Sequence, residues 1–175
     1  MTGNAENSLV DQLVERRECG PCTACCKELV IDAPDFKKDA DIWCPNCIAG
    51  EGCGIYPDWP EICKNWYCLW RLDDVIGDEL RPDKCGVLFH LTTEHIPERF
   101  SGKPGLAAKA TEDIRSFQSP EVARLLVAYY GAGVPVFVNF KDRSLLLNDA
   151  LKDRPILNWE SLAATIVEVF NQAGV

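Results

Sequence analysis

Ten cysteines lie between Cys19 and Cys85, and none occurs in the rest of the 175-residue chain. The run Cys19-Gly20-Pro21-Cys22-Thr23-Ala24-Cys25-Cys26 sets four sulfurs within eight residues. Thiols at this density bridge as disulfides, hold a soft metal or an iron–sulfur cluster, or exchange electrons as a dithiol. A two-residue spacer lets a tight turn bring both sulfurs to one side, where backbone amides soften their negative charge. Cys19, Cys22 and Cys25 make two overlapping steps of this kind, the opening of a ferredoxin-type run. The run then departs from that pattern, because Cys26 follows at once and no Cys-Pro ending appears. Adjacent side chains diverge, so Cys25 and Cys26 can serve different metals or different sides of one site. Cys44-Pro45-Asn46-Cys47, Cys53, Cys63, Cys68 and Cys85 supply the further sulfurs for two tetrahedral thiolate sites, or for a cluster with spare thiols.

Compartment decides among these chemistries. Residues 1–18 are polar and hold no export-type apolar stretch, and no apolar run is long enough to span a bilayer. The expectation is a cytoplasmic protein, where thiols stay reduced and clustered cysteines bind metal or do redox work. The net charge of −9 gives no electrostatic footprint for nucleic acid or an anionic membrane, so neither is expected as a partner, while a protein partner stays open. Glu15-Arg16-Arg17 and Lys37-Lys38 are short basic runs diluted by acids.

The cysteine pattern resembles the YkgJ-type family, the CxxCxxCC cysteine-cluster proteins described as zinc- or iron-chelating. The likeness rests on Cys19-x-x-Cys22-x-x-Cys25-Cys26, then Cys44-Pro45-Asn46, Gly52-Cys53-Gly54-Ile55-Tyr56, Pro60-x-x-Cys63, Cys68-Leu69-Trp70 and Arg81-Pro82-Asp83-Lys84. It covers about residues 15–90. Carried over position by position, it implies Cys19, Cys22, Cys25, Cys26, Cys44, Cys53, Cys63 and Cys68 as metal ligands. Cys47 and Cys85 fall where the family has other residues, although Cys44-x-x-Cys47 makes a good metal-binding turn and leaves Cys47 a substitute ligand. Trp59 and Lys64 stand where arginines are usual, and Asn46 where histidine is. The resemblance implies no particular reaction. Eight sulfurs divide into two closed zinc sites, the first expectation. The alternative is a [4Fe–4S] cluster in a redox or radical-type enzyme or an accessory subunit.

Other constellations are weaker. Cys19-Gly-Pro-Cys22 has the spacing of a thioredoxin dithiol and makes a dithiol redox protein a further alternative, although a thioredoxin has a strand, helix and strand before its cysteines and only eighteen residues precede Cys19 here. His90 and His95 are the only histidines, and each reads more simply as a strand or loop residue than as a ligand. Asp73-Asp74, Asp78-Glu79 and Glu112-Asp113 read as solvated surface. No nucleophile–histidine–acid set or phosphate loop is present.

The elements that position these groups fall into three stretches: an N-terminal helix in 1–18, a cysteine-cluster region over 19–88, and a regular α+β region over 89–175 forming one compact unit with it. Ser8 caps the first helix, and Leu9, Val10, Leu13 and Val14 form its apolar stripe. The cysteine region is broken by glycines and prolines and cannot build long elements, so bound metal is the expected brace. Trp43, Trp59, Trp66 and Trp70 are expected to form a small aromatic core there. Beyond it, Gly86–Leu91 reads as a strand and Ser119-Pro120-Glu121 as a helix start, with the helix running to Tyr130. Val134–Phe140 and Ser144–Leu147 read as a hairpin, and Asn158 caps a final helix. The pattern of residues 97–118 predicts no element. The expected fold is α+β, an irregular metal-binding half packed on a small mixed layer.

Overall fold

The computed structural model describes residues 12–34, 36–56, 58–153 and 158–172. The chain is α+β and divides into two compact units, residues 1–76 and 77–175. No helix among the described residues is long and apolar enough to cross a membrane.

The first unit is built from very short pieces, as its glycines and prolines dictate. Helix α1 (Ala24–Glu28) is followed by the two-residue strands β1 (Ile31–Asp32) and β2 (Lys37–Lys38), which pair antiparallel. A second small ladder joins β3 (Cys47–Ile48) to β4 (Gly52–Cys53), and the single-turn helices α2 (Glu61–Lys64) and α3 (Leu69–Leu72) complete the unit. Two-residue ladders bury almost nothing. The buried apolar residues of this unit, among those described, are Ile31, Cys68, Leu69, Trp70 and Ile76. The aromatic core expected here reduces to Trp70: Trp43 is 46 % exposed, and Trp59 and Trp66 are half-buried. Of the expected N-terminal helix, residues 8–11, including Ser8, Leu9 and Val10, lie outside the described residues. Residues 13–18 run as turns and extended chain.

The second unit opens with a 3-10 turn (Asp78–Leu80) and the single-turn helix α4 (Pro82–Cys85), which Gly86 ends at φ +71°. Its four-stranded sheet runs in the order β5 (Val87–Thr92), β6 (Gly105–Ala110), β7 (Val136–Phe140), β8 (Arg143–Leu146). The β6–β7 pair is parallel and the other two are antiparallel. Between β6 and β7 runs α5 (Pro120–Gly131), and after β8 come α6 (Leu147–Ala150) and α7 (Trp159–Gln172). Val87, Leu106, Ala108, Val136 and Val138 of the sheet are fully buried, as are Val122, Leu126, Leu162 and Ile166 of the helices. Asn158 caps α7 as expected, accepting the Ser161 amide at 2.9 Å. Ser119 differs from expectation: its hydroxyl donates to the Glu121 carboxylate at 2.8 Å and bonds no backbone amide of the helix.

One strand escaped the sequence reading. Gly105-Leu-Ala-Ala-Lys-Ala is buried along its whole length. An interior strand covered on both faces shows no alternation, and small alanines carry little strand signal.

Candidate metal centre

The site is assembled from turns. The Cys22 amide donates to the Cys19 carbonyl at 2.9 Å, and the Cys47 amide to the Cys44 carbonyl at 3.0 Å. Both Cys-x-x-Cys spacers therefore close as tight turns, the geometry that faces two sulfurs one way. The Cys44 amide donates to the Cys26 carbonyl at 2.9 Å, tying the second turn to the end of the first run. The β3–β4 ladder then sets Cys47 directly opposite Cys53. Gly52 stands at φ +125°, and a Cβ there would lie 2.9 Å from the Gly20 carbonyl oxygen. The first cysteine turn therefore rests on β4, an approach that only glycine permits.

Two basic residues hold this assembly. Arg17 donates from its guanidinium to the carbonyls of Trp70 and Ile76, and to that of Asp73 at 2.7 Å; its plane lies 5.1 Å from the Trp70 ring centroid. The Val14 amide adds a bond to the Arg71 carbonyl at 2.9 Å. Cys19 lies two residues after Arg17, and Cys68 is the residue that caps α3. This clasp therefore brings the first cysteine run to Cys68. Lys38, only 7 % exposed, donates from Nζ to the carbonyls of Lys27, Asp39 and Ile42, each at 2.9 Å. It pins the segment leading into Cys44. In the sequence both residues stand in short basic runs diluted by acids, since acceptors that are backbone carbonyls leave no mark there.

Nine of the ten cysteines belong to the first unit, and no disulfide joins any of the ten. The sulfurs interact in two groups. Cys25 meets the charge of Cys26 and then those of Cys19 and Cys68, and Cys68 those of Cys19 and Cys22. Cys47 and Cys63 each meet the charges of Cys26, Cys44 and Cys53. A hydrogen bond from Cys25 to Cys26 links the groups, and Cys47 also donates to Cys26. Those bonds decide where negative charge settles. The Cys25 bond draws Cys26 down, burial opposes it, and the Cys47 bond and the Lys38 ammonium add to the pull, leaving the thiol at about 6. Cys25 is raised well above the usual thiol range, by that same bond and then by burial. Burial pushes Cys47 to about 12, with the Cys26 charge adding to it. Burial also lifts Cys68 to about 12, against the pull of the Arg71 and Trp70 amides on its sulfur. Cys63 is raised chiefly by burial.

Among the described residues, no three Cys, His, Asp or Glu side chains converge on a common point as they stand. Cys26 instead accepts S–H···S bonds from Cys25 and Cys47. Thiolate sulfur is the ligand type a soft metal ion takes, and holding one here would require deprotonation and side-chain rotation toward a centre.

The remaining candidates lie elsewhere. Cys85 belongs to the second unit, where its thiol donates to the Val87 carbonyl at 3.2 Å and accepts the Val87 amide at 3.4 Å. His90 is on β5 opposite Ala107, and burial lowers its pKa. His95 is exposed in a turn at φ +56°. Of the paired acids, Asp73 and Asp113 accept backbone amides two residues ahead, of Val75 and Arg115, and so serve local turns. Compared with known proteins, the chain matches no family model, no curated protein and no solved structure.

Proposed function

We propose that the first unit is a metal-binding module whose cysteine thiolates hold zinc, with Cys19, Cys22, Cys25, Cys26, Cys44, Cys53, Cys63 and Cys68 as the ligand pool. The reading rests on one observation: these sulfurs fall into two neighbouring groups, the first holding both cysteines of the closed Cys19–Cys22 turn and the second Cys44 of the closed Cys44–Cys47 turn. The likeness of the cysteine pattern to the YkgJ-type proteins supports it. Bound zinc supplies a structural staple, and a unit with so few buried apolar residues needs one. Placement in a reducing cytoplasm belongs to the same proposal, as does the absence of nucleic acid among the partners, which the charge of −9 supports.

A second reading has its own observation. Cys19, Cys22, Cys25 and Cys68 form one group of four, the number of thiolates a [4Fe–4S] cluster takes. The two readings separate on protein purified anaerobically without added metal, by elemental analysis together with a visible spectrum. The zinc reading expects about two zinc per chain and no visible band. About four iron per chain with acid-labile sulfide and a broad visible band would overturn it in favour of the cluster.

A further inference from the structure

We infer that the thiols form two separate metal centres divided between Cys25 and Cys26, the first held by Cys19, Cys22, Cys25 and Cys68, the second drawn from Cys26, Cys44, Cys47, Cys53 and Cys63. The inference rests on the metal-binding reading and deepens it: it assigns each sulfur and brings in Cys47, which lies outside the family pattern.

Backbone geometry alone gathers most of the second set. The Cys44 amide bonds the Cys26 carbonyl, the Cys44–Cys47 turn is closed by its own hydrogen bond, and Cys47 faces Cys53 across the β3–β4 ladder. Cys63, the third residue of α2, meets the charges of Cys26, Cys44 and Cys53. The first set is gathered by the Cys19–Cys22 turn and by the Arg17 clasp on α3, which brings Cys68 to it. The division runs through consecutive residues of α1. Neighbouring residues on a helix leave it about 100° apart, and the bond from Cys25 to Cys26 marks the border where the two sets meet. The surroundings differ as well. The first set has the Trp70 and Arg71 amides on Cys68, whereas the second has the buried Lys38 ammonium beside Cys26.

The sets are unequal, and that gives the inference its consequence. A tetrahedral zinc ion takes four thiolates and displaces their protons. The first set has four sulfurs and none to spare. The second has five, so one position is redundant. Loss of any first-set cysteine removes a full ligand. Loss of Cys47 or Cys53 alone leaves four, and only their joint loss leaves the second centre short.

The test uses the full chain loaded with zinc under reducing conditions, challenged with a competing chelator and counted by elemental analysis. Cobalt substitution supplies an absorption readout of tetrahedral thiolate. About two ions are expected in the wild type, about one in Cys22→Ser, about two in Cys47→Ser and in Cys85→Ser, and about one in the double variant Cys47→Ser/Cys53→Ser. Cys22 is half-buried, and circular dichroism confirms that each variant is folded before its metal is counted. Loss of both ions in folded Cys22→Ser, or retention of both in the double variant, overturns the division while leaving metal binding intact. A wild type that retains no zinc overturns the metal-binding reading itself.

Discussion

Lys37 and Lys38 differ by one position and by nearly all of their surroundings. Lys37 is exposed and pairs with Asp32 at 2.7 Å, a contact worth about 0–1 kcal/mol in water. Lys38 is buried with three carbonyl acceptors, so its charge is met by dipoles from the end of α1 and from the loop after β2. Replacing it with methionine keeps the stem and strands three carbonyls, each costing about 1–3 kcal/mol if left unmet. Lys38→Met is therefore expected to destabilise the first unit by about 2–4 kcal/mol, against about 0.5 kcal/mol or less for Lys37→Met. Urea unfolding of both variants checks this, and equal midpoints would refute the role given to Lys38. His90 makes a pH-dependent contribution of a different kind. Its pKa is lowered in the fold by burial, with Glu94 partly opposing, so the fold favours the neutral ring. That stability is complete above the unfolded value of 6.5 and is lost as pH falls through it toward the lower folded value. Thermal scans between about pH 7.5 and 5.5 should show the midpoint of the second unit falling, with a shallower fall in His90→Gln. An unchanged slope in the variant would remove His90 from the account.

At the scale of elements, the contact between Gly20 and Gly52 holds two cysteine turns at their working distance. Gly52→Ala must place a Cβ 2.9 Å from a backbone oxygen at a φ that side chains rarely adopt. The expected cost is about 1–3 kcal/mol, and zinc retention against a chelator should fall with it. Gly50→Ala serves as the comparison, since it has a positive φ but nothing within 4 Å of the added carbon. If Gly52→Ala matched it in both stability and zinc retention, close packing of the turns would be ruled out. This level also shows which elements can be read from a sequence. The cysteine turns, the start of α5, the β7–β8 hairpin and the Asn158 cap are local, each fixed by residues a few positions apart. What escaped was non-local. The strand β6 is defined by being covered, the Arg17 clasp by carbonyls more than fifty residues away, and the Lys38 clasp by backbone carbonyls that carry no residue signature. The partition of the sulfurs was legible only as the divergence of Cys25 from Cys26. Assigning Cys68 to one side and Cys63 to the other required the fold.

For the whole molecule, the two units rely on different sources of stability, and this separates their responses to metal removal. The second unit closes a four-stranded sheet under α5 and α7, with Leu88, Leu106, Phe117, Leu126 and Ile166 fully buried. Such a core holds without help. The first unit has two-residue ladders, single-turn helices and a handful of buried apolar side chains, too little to offset the entropy of ordering its loops. If zinc supplies the difference, its binding free energy is folding free energy for that unit alone. Adding a chelator to the zinc-loaded protein should then abolish amide protection through residues 19–70 and leave β5 to β7, α5 and α7 protected. Hydrogen exchange read by mass spectrometry resolves the two responses peptide by peptide. Joint loss of protection in both units would mean that the second unit depends on the metal as much as the first. Unchanged protection in the first unit would mean that its turns, clasps and glycine contacts suffice, and zinc would lose its structural role.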